Sequence, residues 1–210
     1  MSDFQRRGVC LVLSAPSGTG KSTIAAALRA RAPDLVISIS VTTRAPRPGE
    51  REGVDYFFRT PEEFRRMAEA GELLEFATVF GNSYGTPRAL VETALHSGHD
   101  MIFDIDWQGY IQLRTALPDD VVGVFILPPS LGELRRRLEL RGTDSAAVIG
   151  SRMEQAMAEI SHWDQFDHVL INRDLASAIE QAYAVLVAER TAVSRQTGLA
   201  AGGFLPDRER

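Results

Sequence analysis

Lysine is almost absent from this chain. Lysine and arginine together number 23 among its 210 residues, and Lys21 is the single lysine. Arginine carries a rigid, planar guanidinium, whereas lysine carries a compact ammonium on a flexible stem that reaches readily into a phosphate site. A chain that otherwise uses arginine therefore marks Lys21 as a candidate phosphate-binding residue.

Cysteine is scarce as well, and long apolar runs and an excess of positive charge are absent. A lone cysteine, Cys10, excludes an internal disulfide, and its apolar surroundings indicate core packing. No segment approaches the roughly 20 apolar residues of a membrane span. The apolar run that follows Arg6 and Arg7 is too short for a secretory signal. The net charge of −5 argues against a nucleic-acid partner. We therefore expect a cytoplasmic protein without membrane or nucleic-acid partners.

The residues around Lys21 have the pattern of a phosphate-binding loop. Gly18 and Gly20 lie between an apolar run that predicts a strand and a segment that predicts a helix. Backbone N–H groups of such a loop converge on phosphate oxygens, and glycine allows the backbone to approach closely. Lys21 would contact the β- and γ-phosphates of a nucleotide, and the hydroxyl of Ser22 would bind Mg²⁺. Ala15 stands where the strict pattern has glycine. The alternative, a plain glycine-rich turn, leaves the lone lysine unexplained.

Short apolar strands alternate with helical patterns over most of the chain. Strands are predicted at 9–13, 100–105, 121–127 and 168–171, and helices at 21–31, 87–97, 108–116, 131–140, 145–161 and 175–195. Buried strands separated by helices indicate a parallel sheet with crossover helices. The sequence therefore predicts an α/β domain of the P-loop NTPase type.

Residues 42–86 interrupt this alternation. The first part is dense in proline, glycine and arginine, which is typical of a loop. Short β-like pieces are predicted at 55–58 and 74–79. Between them Thr60 suits a helix N-cap, Pro61 the first helical position, and Glu63 completes a capping box. We predict a small α+β lobe inserted into the main domain.

Six stretches of the sequence form a recognisable set: 14–23, 40–50, 53–58, 81–86, 104–109 and 141–144. Taken together, and in this order and spacing, they resemble the guanylate kinases, which phosphorylate GMP. The resemblance extends from Val9 to about Arg195, and bacterial members often have alanine at the position of Ala15. The resemblance implies a single domain with a core, a GMP-binding lobe and a helical lid. We assign the core to 8–41, 87–130 and 153–195, the lobe to 42–86, the lid to 131–152 and a fraying tail to 196–210.

The resemblance also implies how each substrate is bound. In the phosphate loop, ATP would contact Ala15, Pro16, Ser17, Gly18, Thr19, Gly20, Lys21, Ser22 and Thr23. Asn172 matches a family position near the adenine, although Arg173 replaces the acidic residue that commonly follows it. Arg137, Arg141 and Arg152 match a mobile lid over ATP, and arginines on a closing lid can neutralise charge on the transferring phosphoryl group.

On the GMP side, the resemblance assigns the phosphate to Arg44 and Arg47, with hydrogen bonds from Tyr56 and Tyr84. Guanidinium groups bind phosphate bidentately, which agrees with this assignment. A solvated basic loop, and simple packing of the tyrosines, are the alternatives. The residues assigned to the base are Ser40, Glu75, Thr86 and Asp106. A carboxylate accepts from both N1–H and N2–H of guanine, and adenine offers neither donor.

A second aspartate, Asp104, ends an apolar strand beside the phosphate loop. A carboxylate at that end of a parallel strand is well placed to orient Mg²⁺ through water. The resemblance places Asp104 on the metal side and Asp106 on the GMP side.

These observations predict an enzyme that transfers the γ-phosphate of ATP to GMP, and also to dGMP, with Mg²⁺ as cofactor. The catalytic residues would be Lys21, Arg44, Arg137, Arg141 and Arg152. A ribose-bisphosphate phosphokinase of the same fold family needs no guanine pocket, and a non-catalytic guanylate-kinase-like module typically has a degraded phosphate loop. A GTPase would need a second lysine in its guanine motif. The oligomeric state stays open, with a homodimer as one option.

Overall fold

The computed structural model describes residues 6–79, 81–140 and 145–199. Its strands are β1 Cys10–Ser14, β2 Val36–Ile37, β3 Val41–Thr42, β4 Phe57–Phe58, β5 Leu73–Val79, β6 Asn82–Pro87, β7 Met101–Asp104, β8 Val121–Leu127 and β9 His168–Ile171. Its helices are α1 Lys21–Arg31, α2 Pro61–Glu69, α3 Arg88–His96, α4 Trp107–Ala116, α5 Leu131–Leu140, α6 Ala146–Ile160 and α7 Leu175–Thr191. Within these described ranges, no helix is long and apolar enough to cross a membrane.

The main sheet is parallel, in the order β2-β7-β1-β8-β9. Strand β1 lies at its centre and is buried along its whole length, which explains why its sequence is a continuous apolar run. The predicted α/β class with a parallel sheet is confirmed. The predictions missed β2, because a strand of two exposed residues at the sheet edge is too short to show a pattern.

The core lies on both faces of this sheet. Leu11 and Leu13 of β1 pack with residues of α1 and α7, such as Ile24 and Leu186. The alternate residues of β1 point the other way, where the free thiol of Cys10 packs in a cluster with residues of α3 and α4. The alternation of side chains along one strand therefore supplies both layers of the core.

Helix α7 ends earlier than the sequence predicts. A helix was expected over 175–195, but Ala192 has φ −58° and ψ 136°, and a separate 3₁₀ turn follows at Val193–Arg195. Arg195 is buried there and donates to the carbonyl of Gly8 at 3.1 Å. The chain leaves the helix because this tertiary contact directs Arg195 toward the start of β1.

A second sheet, in the order β4-β3-β6-β5, forms the small lobe. The capping box of α2 is confirmed, since the Thr60 side chain accepts from the Glu63 N–H and the Glu63 carboxylate accepts from the Thr60 N–H at 2.8 Å. Strands β3 and β6 were not predicted. Strand β6 contains Asn82, Gly85 and Pro87, which disfavour strands, and long antiparallel pairing with β5 overrides that preference.

Candidate active site

The phosphate-binding loop joins β1 to α1 and needs its glycines for two reasons. Gly18 and Gly20 have φ of 95° and 96°, in the left-handed region that favours glycine. A Cβ on Gly20 would lie 2.8 Å from Nδ2 of Asn172, and one on Gly18 would lie 3.1 Å from a methyl group of Leu138. Both the backbone conformation and the close neighbours therefore exclude larger residues.

Buried hydrogen bonds hold the backbone of the phosphate-binding loop in place. The hydroxyl of Thr19 donates to the Pro16 carbonyl at 2.9 Å, and the Asn172 amide donates to the Thr19 carbonyl at 2.6 Å. Thr19 and Asn172 are both buried. Asn172 therefore connects the end of β9 to the loop backbone, and its predicted contact with ATP stays a prediction.

A cavity of 440 Å³ lies above this loop. The loop and the start of α1 form one wall, and Lys21 forms an ion pair there with Asp104 at the end of β7. Asp106, Trp107 and Glu159 complete the lining. The fold thus brings Lys21, Ser22 and both aspartates together, as the sequence predicts. It adds Trp107 and Glu159, to which sequence reasoning gave no role: Trp107 lies within the stretch 104–109 but was assigned no contact, and Glu159 lies in none of the motif stretches.

A second cavity, of 260 Å³, adjoins the first on the side of the lobe. Among its lining residues are Ser40, Tyr56, Glu75 and Tyr84, all of which were predicted to bind GMP. Asp104 and Asp106 border both cavities. The two cavities therefore meet at the carboxyl end of β7, the position where open parallel sheets bind ligands.

Glu75 is a buried carboxylate at the wall of this second cavity. It is 5% exposed, and it accepts a hydrogen bond from the Thr86 hydroxyl at 2.7 Å. Burial raises the pKa of Glu75, the bond from Thr86 lowers it, and the nearby charge of Asp106 raises it again. Since an ionised carboxylate accepts several hydrogen bonds, Glu75 has capacity for donors of a ligand.

Arg44 lies beside the two tyrosines of the lobe. Its guanidinium is above the Tyr56 ring, 5.3 Å from the centroid, and the rings of Tyr56 and Tyr84 meet edge to face at 6.1 Å. It also donates to both oxygens of Glu50, at 2.8 and 2.9 Å, which lowers the pKa of Glu50. The Glu50 partner was not predicted, and the side chain of Arg47 is exposed at the outer part of the loop.

The segment predicted to form the lid, 131–152, contains helix α5 and the first part of helix α6, and these two helices pack against each other. Leu134 and Leu138 of α5 form a cluster with Ile149 and Ala156 of α6, and α6 continues past residue 152 to Ile160.

The arginines predicted to belong to the lid have different surroundings in the structure. Arg137 donates to Glu133 at 2.9 Å and to the Asn172 carbonyl at 3.0 Å. Its guanidinium therefore lies next to the residue that holds the backbone of the phosphate loop. Arg136 and Arg137 together lower the pKa of Glu133 to about 2. Arg152 lies on α6 and is half-buried. The predicted residue Arg141 lies outside the described residues.

Oxygen ligands suitable for a magnesium ion are present in the first cavity. The Ser22 hydroxyl and the Asp104 carboxylate both line it, and hard oxygen donors are what Mg²⁺ prefers. Across the part of the chain that the structure describes, no group of three or more His, Cys, Asp or Glu side chains could bind a metal by itself. Phosphate oxygens and water would have to complete the coordination of Mg²⁺ here.

Comparison with known proteins connects this site to a family. The sequence model of the family described as guanylate kinase matches residues 7–189. The chain belongs to the guanylate kinase family. A guanylate kinase of Gluconobacter oxydans (strain 621H) is 64% identical over 199 residues, which cover 95% of this chain and 96% of the relative. One of Granulibacter bethesdensis is 58% identical over 191 residues, covering 91% and 89%.

A solved structure agrees with the sequence relatives. The crystal structure of a guanylate kinase from Anaplasma phagocytophilum has a TM-score of 0.73 and 40% sequence identity, with 94% of each chain covered. The resemblance inferred from the motifs, and the P-loop fold that it implies, are therefore confirmed for this member of the guanylate kinase family.

Proposed function

We propose that this protein is an ATP:GMP phosphotransferase, which transfers the γ-phosphate of ATP to GMP or dGMP and releases ADP and the diphosphate. The observation that supports it best is the pair of adjoining cavities. One contains Lys21 on a phosphate loop, the other contains the buried acceptor Glu75, and Asp104 and Asp106 lie between them. Family membership supports the same reaction.

ATP would bind in the first cavity. Its phosphates would accept hydrogen bonds from the loop backbone, and Lys21 would exchange its ion pair with Asp104 for the β- and γ-phosphates. Arg137 and Arg152, with Arg141 between them in sequence, would neutralise charge on the transferring group when the lid closes. The Ser22 hydroxyl and the Asp104 carboxylate would hold Mg²⁺, which would supply further positive charge beside the phosphates.

GMP would bind in the second cavity, with its base toward Glu75. N1–H and N2–H of guanine would donate to the Glu75 carboxylate, which Thr86 already orients. Ser40 and Asp106 would contact the same base. Adenine lacks both donors and would leave a buried carboxylate unpaired, and sites of this type reject such analogues by roughly 10⁴–10⁵-fold.

The phosphate of GMP would bind beside Tyr56 and Tyr84, which line the same cavity as Glu75. Arg44, Arg47, Tyr56 and Tyr84 would contact it, with Glu50 keeping the Arg44 guanidinium oriented. A phosphate oxygen of GMP would then form a bond to the γ-phosphorus as the bond from that phosphorus to the β,γ-bridging oxygen breaks. Positioning and charge stabilisation dominate such transfers, so no dedicated base is required.

The test is ADP release from Mg-ATP with GMP, AMP, UMP or ribose 1,5-bisphosphate as acceptor. We expect turnover with GMP and none comparable with the others. Turnover with the ribose compound would instead identify a ribose-bisphosphate phosphokinase. ATP binding without turnover on any acceptor would identify a binding module. Cytoplasmic location and the absence of membrane and nucleic-acid partners remain expectations from the sequence.

A further inference from the structure

Gln112 on α4 binds the backbone of the lobe through both ends of its side-chain amide. The Phe76 N–H donates to its Oε1 at 3.1 Å, and its Nε2 donates to the Phe76 carbonyl at 3.2 Å. Among the described strands, β5 is the outermost of the lobe sheet, so one edge of its backbone faces no other strand. The Gln112 amide therefore takes the place of a strand at Phe76 and joins the lobe to a helix of the core.

Phe76 directly follows an irregularity in β5 that determines where Glu75 points. The pairing of β5 with β6 shifts by one residue there, so Leu74 and Glu75 together stand opposite Thr86. A β-bulge of this kind redirects a side chain, and it explains why two consecutive residues of β5 are both buried. From across the bulge, the Thr86 hydroxyl donates to one oxygen of Glu75 at 2.7 Å. The direction of the carboxylate thus depends on how the backbone beside the bulge is held.

Helix α4 also approaches Glu75 directly. Gly109 is buried, three residues before Gln112, and a Cβ there would lie 3.1 Å from Oε2 of Glu75. The lack of a side chain at Gly109 therefore leaves room for the carboxylate. The Gly109 N–H donates at 2.9 Å to Asp106, the N-cap of α4, which borders both cavities. Because Asp106, Gly109 and Gln112 recur every three residues, one face of α4 meets the wall of the second cavity.

We propose that Gln112 is a positioning residue for recognition of guanine: its amide holds β5 against α4 at Phe76, and this fixes the bulge that directs the Glu75 carboxylate into the second cavity. The inference rests on the proposed function and deepens it, because Gln112 acts through the residue assigned to the base. In this role Gln112 contacts no atom of the substrate.

The first test measures KM for GMP and for ATP in Gln112→Met, which nearly keeps the length of the side chain and removes both hydrogen bonds. Misalignment weakens the charge-assisted bonds from guanine to Glu75 without removing them, so KM for GMP rises by about threefold to thirtyfold. KM for ATP does not change, because the phosphate loop borders the other cavity.

The matched control is the same substitution at Gln181. This exposed glutamine of α7 donates to the Ser177 hydroxyl at 3.2 Å, and α7 packs on the opposite face of the main sheet from α4. Gln181→Met therefore loses a side-chain hydrogen bond as well, and it changes neither KM.

The second test combines Gln112→Met with Glu75→Gln and separates positioning from a general effect on the lobe. If the carboxylate of Glu75 is already replaced, Gln112 has little left to align. The rise in KM for GMP caused by Gln112→Met is therefore at least about threefold smaller in the Glu75→Gln background than in the wild type. An equal rise in both backgrounds would overturn the proposal.

A second variant, Gly109→Ala, disturbs Glu75 from the same helix and serves if Gln112→Met does not fold. Its methyl group displaces the carboxylate, so KM for GMP rises by about threefold or more. Alanine is a stronger helix former than glycine, so α4 itself is retained. A lower Tm with an unchanged KM for GMP in these variants would indicate a structural role only and overturn the proposal.

Failure of this inference is distinguishable from failure of the proposed function. Absence of GMP turnover in the wild type would overturn the proposed function. Wild-type turnover of GMP with an unchanged KM in Gln112→Met would overturn the role of Gln112 alone.

Discussion

Replacing Glu75 with glutamine separates recognition of guanine from the cost of burying a charge. Glu75 is buried at the second cavity, the proposed GMP site, and accepts a hydrogen bond from Thr86. Glutamine has nearly the same shape and retains one oxygen that Thr86 can contact. Its amide NH₂ replaces the second acceptor with a donor, and that donor would face a donor of guanine.

The expected loss in GMP binding follows from one charge-assisted hydrogen bond. Such a bond contributes about 1.5–3 kcal/mol. Since each 1.4 kcal/mol is tenfold in affinity, KM for GMP rises by about 10- to 150-fold. KM for ATP does not change, because the phosphate loop borders the other cavity.

The same substitution, Glu75→Gln, is expected to weaken GMP binding without lowering the stability of the folded protein. Burial raises the pKa of Glu75, so the folded protein binds a proton there more readily than the unfolded chain does. The free energy of unfolding therefore falls as pH rises through the range between the two pKa values. Glutamine does not ionise, so Glu75→Gln does not have this fall in the free energy of unfolding. We expect the Tm of the variant at pH 7 to be equal to or above that of the wild type. The difference disappears below the ordinary pKa of a glutamate.

Steady-state kinetics with GMP and ATP, together with thermal unfolding at pH 7 and pH 4, measure these effects. Glu72→Gln serves as the control, because Glu72 is exposed on the same lobe. An unchanged KM for GMP in Glu75→Gln would refute the assignment of the base. A lower Tm at pH 7 would refute the account of the buried charge.

Further predictions concern the core and the loop. Asp100 is buried and accepts from Arg6 at 2.6 and 2.7 Å, so Asp100→Asn lowers the free energy of unfolding by about 3–5 kcal/mol in denaturant titrations. The exposed Asp34→Asn has a small effect, and equal effects would contradict this reasoning. Gly20→Ala weakens ATP binding but not GMP binding in calorimetry, because φ is 96°; unchanged ATP affinity would contradict it. The buried Cys10 thiol, whose pKa is raised by burial, reacts with a thiol reagent only as the protein unfolds, and fast labelling of the native protein would contradict it.

Local patterns account for what the sequence predicted well. The capping box at Thr60 and Glu63 depends on neighbouring residues alone, and the structure contains it. The buried strands β1 and β8 are continuous apolar runs, so their positions were predicted to within one residue. The phosphate loop combines a motif with a strand before it and a helix after it.

Tertiary contacts account for what the sequence did not reveal. Strand β6 forms through pairing with β5 despite unsuitable residues, and α7 ends where Arg195 turns toward Gly8. Glu159 reaches the first cavity, above the phosphate loop, from far along the chain, and nothing in its own helix distinguishes it from the exposed Glu154. The overall resemblance to the family assigned Glu75 to the base, although Glu75 is otherwise indistinguishable from a surface glutamate in the sequence.

The most direct test of the central claim is a crystal structure of the protein with GMP. We expect the guanine edge within hydrogen-bond distance of the Glu75 carboxylate, and the phosphate contacting Arg44, Tyr56 and Tyr84. GMP bound on the phosphate loop beside Lys21, or in the lobe with its base away from Glu75, would contradict the proposed division of the two cavities between ATP and GMP.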